Sequence, residues 1–256
     1  MKQAAYAIAV AGSLCSALAA QAEVFDFSAL RASPGGSWNQ PDYTTANGEV
    51  TVEAFFYQGG PNAYIQGPVV IGTSLASARL FVRNEGGTAL GLGVCTPYES
   101  VAAACRADNF VGGGGEINEL DNAGTPEMIR LTLGEQYRWD AVWVSSLTGS
   151  ERGQLRYSKD GTLSGLLPGA SFTSYVQTDP ASATQRIALH GAVATARYLY
   201  LLPGPTGADN DHLLWKVQVT HMPETSAVAL LGLGLVALAA AVRRRSAALR
   251  SGTAPV

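Results

Sequence analysis

Apolar and polar residues alternate with a period of two along much of the chain between residues 23 and 221. Successive side chains of a β-strand point to opposite faces, so this alternation predicts half-buried strands. The clearest examples are residues 49–57, 128–133, 137–145 and 213–220. Shorter segments with the same pattern are residues 79–83, 154–158, 186–190 and 197–202. We therefore expect about ten strands and no long amphipathic helix.

Turn-forming residues separate these segments. They are Asn47-Gly48, Gln58-Gly59-Gly60-Pro61, Lys159-Asp160-Gly161 and Pro203-Gly204-Pro205. Many short strands joined by polar turns are typical of two packed antiparallel sheets. The sequence therefore predicts an all-β fold, an antiparallel β-sandwich of jelly-roll type, over residues 23–221. A segment of about 200 residues is long enough for one such domain with a sizeable core.

The N-terminus has a different pattern, in which Lys2 precedes a mainly apolar run from Ala4 to Ala20. The run ends in Ala20-Gln21-Ala22, the small-residue pattern that precedes signal peptidase cleavage. This order predicts a signal peptide over residues 1–22, cut before Glu23. A first transmembrane helix is the alternative, which is disfavoured because the run is short, Ala-rich and followed by a cleavage pattern.

A second apolar segment, residues 226–242, lies near the C-terminus and is followed by Arg243, Arg244 and Arg245. A helix of this length, at 1.5 Å per residue, reaches the lower limit for crossing a bilayer core of about 30 Å. A buried core helix is the alternative, but the segment has no polar face. Arginines stay on the cytoplasmic side, so we expect residues 23–221 outside and a cytoplasmic tail over residues 246–256.

The motif Met222-Pro223-Glu224-Thr225 directly precedes this segment. A short motif, an apolar helix and an arginine cluster, in this order over residues 222–245, resemble the PEP-CTERM sorting signal. That signal is found on exported proteins of Gram-negative bacteria that make exopolysaccharide. The resemblance implies recognition by exosortase, a membrane protease-transpeptidase, and cleavage near Pro223 and Glu224. The usual third residue of the motif is Pro, whereas this chain has Thr225.

The resemblance also implies where the protein goes. The C-terminal helix would anchor it in the inner membrane before processing, and the body would then reach the cell surface or extracellular matrix. Exopolysaccharide is the partner that such a location offers.

The charge of residues 23–221 is clearly negative. Five of the 17 Lys and Arg residues and one of the 20 Asp and Glu residues lie outside this segment, which leaves 12 against 19 and a net charge near −7. Such a charge disfavours binding to nucleic acid or anionic polymers through bulk electrostatics. It is compatible with neutral glycans or with cations.

Two cysteines, Cys95 and Cys105, fall within residues 23–221. An even number of cysteines in an exported protein predicts a disulfide. The chain-entropy model assigns roughly 3 kcal/mol to closing so short a loop. A redox or metal-binding pair is the alternative, which is disfavoured because no His residue lies nearby.

Residues 101–127 form a long irregular insertion with four consecutive glycines, residues 112–115. Gly91-Leu92-Gly93-Val94-Cys95, Glu119-Leu120-Asp121-Asn122 and Glu127 resemble the body of a subset of PEP-CTERM proteins, whose activity is largely unassigned. Physically, hard oxygen ligands cluster at Glu119, Asp121, Asn122 and Glu127, and Ca²⁺ takes six to eight oxygens. A solvated acidic loop is the simpler interpretation of the same residues.

The aromatic residues divide into two groups. Trp139, Trp143 and Trp215 lie on apolar faces of predicted strands, so we expect them in the core. Trp38 and Tyr43 lie in a polar stretch and are the better candidates for exposed stacking platforms.

The sequence contains no G-x-S-x-G, H-E-x-x-H, phosphate-loop or dinucleotide motif. The first hypothesis is therefore an exported, non-enzymatic sandwich at the cell surface or in the matrix. A calcium-dependent carbohydrate-binding module is the second hypothesis. A glycan hydrolase on the same fold is the third.

Overall fold

The structure is a computed structural model. It describes residues 21–30, 39–58, 65–66, 69–70, 74–85, 88–96, 127–147, 151–161, 172–176, 184–204, 212–222 and 232–243. The chain divides into two compact units, of which one is residues 22–220 and the other comprises residues 1–21 and 221–256.

Residues 22–220 consist mainly of short strands, as the alternating pattern predicts. Within the described residues there are β1 (Ala22–Asp26), β2 (Asn39–Gln40), β3 (Asp42–Thr44), β4 (Val50–Gln58), β5 (Ile65–Gln66), β6 (Val69–Val70), β7 (Ser74–Ser77), β8 (Arg79–Glu85), β9 (Thr88–Cys95), β10 (Glu127–Leu133), β11 (Tyr137–Ser145), β12 (Arg152–Ser158), β13 (Phe172–Val176), β14 (Thr184–Ala188), β15 (Tyr198–Pro203) and β16 (Leu213–His221). One turn of 3₁₀-helix, η1 (Phe27–Ala29), follows β1.

The strands form two seven-stranded antiparallel sheets and one small hairpin. Sheet 1 has the order β14-β11-β16-β9-β8-β2, and β1 pairs with β16. Sheet 2 has the order β13-β12-β15-β10-β4-β3, and β7 pairs with β4. Strands β5 and β6 pair with each other. The prediction of an all-β sandwich of two antiparallel sheets is confirmed.

One hydrophobic core joins the inner faces of both sheets. Sheet 2 contributes the residues predicted for one face of β4 and β10, which are Val50, Val52, Ala54, Phe56, Ile129, Leu131 and Leu133. Sheet 1 contributes Leu80, Val82, Leu92, Val94, Trp139, Val142, Val144, Leu214, Val217 and Val219. The burial of this apolar surface is the main source of stability, because apolar area removed from water contributes about 25 cal/mol per Å².

Two strands of sheet 1 break the expected alternation. In β11, Trp139 lies in the core as predicted, but the core-facing residues further along the strand are Val142 and Val144. Trp143 therefore points to the opposite face and is only partly buried. In β16 the core residues are Leu214 and then Val217, and Trp215 is partly buried outside the core cluster. The expectation of core packing is wrong for both of these tryptophans.

The close approach of β9 to β16 accounts for one glycine of the Gly91-Leu92-Gly93-Val94 segment. Gly91 has a φ of 144°, and a Cβ atom placed on it would lie 2.5 Å from the carbonyl oxygen of Leu214. Leu92 and Val94 face the core. The packing of the two strands therefore requires glycine at position 91.

The predicted Asn47-Gly48 turn connects β3 and β4. Gly48 has a φ of 76°, and its N–H donates to the carbonyl of Thr45 at 2.9 Å. The buried Glu49 carboxylate accepts hydrogen bonds from the Thr45 hydroxyl at 2.5 Å and from the Asn47 side chain at 2.7 Å. Desolvation opposes ionisation of Glu49, but these hydrogen bonds outweigh it and hold its pKa below the ordinary value.

The unit of residues 1–21 and 221–256 contains a helix over residues 232–243, all of which are exposed. Among the described residues, no helix combines the length and apolar character that crossing a membrane requires. Residues 223–231 lie outside the described residues, as do residues 1–20, so the membrane span over 226–242 and the signal peptide stay predictions.

Candidate functional site

Most residues of the predicted sorting motif lie outside the described residues. These are Pro223, Glu224, Arg244 and Arg245. Arg243, the first arginine of the cluster, is described at the end of the helix over residues 232–243, where it is exposed.

The predicted calcium ligands Glu119, Asp121 and Asn122 also lie outside the described residues, and so does Cys105. Glu127, the fourth candidate ligand, is buried at the start of β10 opposite Phe56. Within the part of the chain that the structure describes, no three His, Cys, Asp or Glu side chains form a group that could hold a metal. Cys95 is disulfide-bonded, and its pairing with Cys105 stays a prediction.

The ends of the sandwich meet in one antiparallel ladder between β1 and β16. Ala22 pairs with Thr220, Glu23 with Val219, and the register continues to Asp26 and Lys216. The N–H of His221 donates to the carbonyl of Gln21 at 3.0 Å, which extends the ladder by one further pair. The predicted signal peptidase site, between Ala22 and Glu23, therefore lies inside this ladder.

An ion pair closes the other end of this ladder. Lys216 Nζ lies 2.8 Å from the carboxylate of Asp26. The same carboxylate accepts hydrogen bonds from the backbone N–H of Ser28 at 3.0 Å and from its hydroxyl at 2.5 Å, and so caps η1. Desolvation raises the pKa of Asp26, but Lys216 and Ser28 together outweigh this effect and lower it.

The segment after the ladder completes the core. Phe27 is buried, with 1% of its surface exposed, and the partly buried Phe25 packs against the same cluster. The rings of Phe27 and Tyr43 meet edge to face, with centroids 6.0 Å apart. Tyr43 was expected to be exposed, but it packs against the core instead. Trp38, the other expected exposed aromatic residue, lies outside the described residues.

Two aromatic–cation pairs lie outside the core in sheet 1. The guanidinium of Arg186 lies 5.1 Å from the ring centroid of Trp143, its cross-strand neighbour. Lys216 Nζ lies 4.0 Å from the ring centroid of Trp215. Partly exposed indole rings can stack on the apolar face of a sugar, so these are the described aromatics best placed for ligand contact.

The outward side of sheet 2 carries a row of polar and aromatic residues. Arg130 forms a two-pronged ion pair with Glu53, with donor–acceptor distances of 2.8 to 3.0 Å. Its guanidinium lies 4.8 Å from the ring centroid of Phe55 and 5.9 Å from that of Tyr198. The Arg130 guanidinium therefore contacts the Glu53 carboxylate and lies near the rings of Phe55 and Tyr198.

The row continues into buried positions. Tyr200 pairs in register with both Arg130 and Arg156, and Arg156 donates to Gln154 at 3.0 Å. Tyr200 and Arg156 alternate with core residues and so face away from the core, yet each is only 1% exposed. Desolvation raises the pKa of Tyr200 to about 12, although the positive charge of Arg130 opposes the rise.

His212, which precedes β16, is the described histidine with no exposed surface. Desolvation lowers its pKa to about 3, so the imidazole is neutral at physiological pH.

Sequence reasoning missed the β1–β16 ladder, the outward position of Trp143 and the buried row of sheet 2. The alternation of Glu23-Val24-Phe25-Asp26 could have indicated β1. No signal in the sequence marks Arg156 as buried. Comparison with known proteins gives no match to any family model, to any curated protein or to any solved structure.

Proposed function

We propose that this chain is an exported protein of the cell surface or extracellular matrix of a Gram-negative bacterium. A signal peptide over residues 1–22 exports it, and a C-terminal membrane helix anchors it in the inner membrane until an exosortase-type protease acts near Pro223 and Glu224. The body is non-enzymatic and associates with exopolysaccharide.

The boundaries of the folded body support this proposal. The first strand of the sandwich begins at Ala22, and the last ends at His221, two residues before Pro223. Pro223 and Glu224 thus follow the last strand, whereas the predicted cleavage site between Ala22 and Glu23 lies within the first strand. This position suits the C-terminal processing signal, since proteases act on chain outside a stable fold.

We also assign the sandwich to the jelly-roll type. From β9 onwards the chain often passes from one sheet to the other: β9 lies in sheet 1, β10 in sheet 2, β11 in sheet 1 and β12 in sheet 2. Strands β14, β15 and β16 alternate in the same way. Repeated crossing between the sheets is typical of Greek-key and jelly-roll sandwiches.

Replacement of Pro223 and Glu224 by Ala, in a bacterium that carries an exosortase, tests the sorting step. We expect the wild-type body to appear at the surface or in the medium and the double variant to remain in the inner membrane. Thr225→Pro, which restores the usual third residue, is the matched control and should be sorted at least as well as the wild type. Unchanged release of the double variant would contradict the proposal.

Glycan binding is a second candidate function, because Trp143 and Trp215 lie outside the core of sheet 1. The net charge near −7 of residues 23–221 favours a neutral glycan. We expect Trp143→Ala to weaken binding to a neutral exopolysaccharide at least ten-fold on an array, and Trp139→Phe to leave it unchanged. Addition of Ca²⁺ or a chelator separates the calcium-dependent form of this candidate from a calcium-independent one.

A further inference from the structure

We propose that the β1–β16 ladder is a latch that normally closes after signal peptidase has acted, and that closure before cleavage would make the signal peptide resistant to removal. The inference rests on the proposed signal peptide. It concerns the order of the maturation steps, which the proposed function leaves open.

The bond that signal peptidase is predicted to cut lies within the paired part of β1. Ala22 and Glu23, on either side of the predicted cut, pair with Thr220 and Val219. A protease needs access to an unpaired backbone, and a bond within a sheet becomes accessible only when the sheet opens locally. The closed ladder therefore withholds the bond between Ala22 and Glu23 from signal peptidase.

The direction of export separates β1 from its partner strand in time. Strand β1 leaves the cytoplasm first, and its partner β16 ends at His221, about 200 residues later. At a synthesis rate of about 5–20 residues per second, this interval lasts on the order of 10–40 s. During that time β1 has no partner strand, so signal peptidase acts on an open chain.

The packing around β1 stabilises the ladder once it has closed. Closure brings Phe25 and Phe27 onto the core and joins Asp26 to Lys216. Burial of apolar rings against the core stabilises the closed ladder. Spontaneous opening of the ladder must undo these contacts, so it is rare in the closed body.

The test blocks signal peptidase with a reversible inhibitor while cells synthesise and export the full chain. The inhibitor is then removed, and cutting is followed for the accumulated precursor and for chain made after removal. We expect newly made chain to be cut at the normal rate and accumulated precursor at least ten-fold more slowly. Equal rates for the two populations would overturn the inference.

Two neighbouring proline variants distinguish the ladder from a general effect of export. The bond from His221 to Gln21 marks a hydrogen-bonded pair, and such pairs alternate along an antiparallel ladder, so Phe25 and Val217 also exchange bonds. Val24, which is 53% exposed, directs its N–H away from β16. We expect accumulated Phe25→Pro precursor to be cut as fast as new chain, whereas Val24→Pro behaves as the wild type.

Phe25→Ala keeps the ladder bonds and loses only the ring, so its accumulated precursor should be cut more slowly than that of Phe25→Pro. If Phe25→Pro precursor is degraded, a disulfide between Cys residues introduced at Val24 and Gln218, which are paired in register, provides the second test. We expect the oxidised V24C/Q218C precursor to be cut more slowly than the wild type and reductant to restore the wild-type rate. No effect of oxidation on the cutting rate would count against the latch.

Failure of the proposed function gives a different result. N-terminal sequencing of uninhibited wild-type protein should begin at Glu23. If it begins at Met1, the signal peptide itself is wrong, and the latch is rejected with it.

Discussion

The outward sides of the two sheets differ in how they treat similar residues. In sheet 2, Arg156 and Tyr200 point away from the core but are almost completely buried. In sheet 1, Arg186 is exposed and covers the partly exposed ring of Trp143. The comparison shows that outward orientation in a sandwich does not by itself mean solvent contact. It predicts that sheet 2 contributes polar groups to stability, whereas sheet 1 offers groups to a ligand.

Removal of one arginine from each sheet should give the largest contrast. Arg156→Ala removes a long buried side chain, and we expect it to lower the free energy of unfolding by about 3 kcal/mol, because large-to-small changes at buried sites cost about 2–5 kcal/mol. Arg186→Ala changes an exposed residue and should cost only about 0.5–1 kcal/mol, the size of the cation–π contact with Trp143 that it removes. Urea denaturation of both purified variants measures the difference. Equal losses would show that the outward sides of the two sheets do not differ.

Groups in or next to the two sheets should also lose their contribution to stability at opposite ends of the pH range. His212, next to sheet 1, has a folded pKa of about 3 against an ordinary 6.5, so the unfolded chain takes up its proton first as the pH falls. The contribution of the neutral imidazole to the free energy of unfolding is fully present above pH 6.5. Below this pH it falls by about 1.4 kcal/mol per pH unit, or by about 2 kcal/mol at pH 5. Tyr200, in sheet 2, has its pKa raised to about 12, so its contribution is complete below pH 10 and is lost above it.

The free energy of unfolding, measured from pH 4 to 11, should show both losses, as an acid limb below pH 6.5 and an alkaline limb above pH 10. His212→Gln has no titrating imidazole and should flatten the acid limb, and Tyr200→Phe should flatten the alkaline limb. An acid limb of unchanged slope in His212→Gln would assign the acid sensitivity to carboxylates such as Asp26 and Glu49, whose pKa values are lowered.

The partly exposed ion pair of sheet 2 should have an intermediate effect. Arg130→Gln leaves Glu53 without its cation, and we expect a loss of about 1 kcal/mol, because the two side chains are 26% and 28% exposed and solvent screens them. The exchange variant Arg130→Glu with Glu53→Arg reverses the pair and should recover part of the loss. No recovery in the exchange variant would attribute the loss to the contact between Arg130 and Phe55.

Trp143→Ala removes the contact with Arg186 from the other side and should have a similarly small effect on stability, about 0.5–1 kcal/mol, which is the typical size of a cation–π contact near the surface. Thermal denaturation of the purified variant measures this change. A loss of several kcal/mol would show that Trp143 supports the fold of sheet 1 and would remove the contrast with sheet 2.

The sequence predicts the strands well where one face is buried and the other is wet. The predicted segments 49–57, 128–133 and 137–145 correspond closely to β4, β10 and β11. The assignment of faces fails where the core-facing positions shift by one residue, as they do between Trp139 and Val142. Side-chain types do not encode such a shift, because valine and tryptophan suit either face of a twisted sheet.

The candidate site was less predictable than the fold. The buried positions of Arg156 and Tyr200 depend on tertiary packing, and their residue types are more often exposed or only partly buried. The β1–β16 pairing joins residues at opposite ends of the body, and the alternation of a single strand carries no information about its partner. The proposed sorting and calcium residues lie mainly outside the described residues and stay predictions.

The position of β16 as the last strand of the body has a mechanical consequence. A pull along β16, applied to the chain beyond residue 222, enters the body at the C-terminal end of this strand. Ladder bonds run perpendicular to the strands, so such a pull loads the bonds to β1 and the other neighbours of β16 together, in shear, instead of breaking them one after another. The body would therefore resist a pull along β16 better than a pull across it.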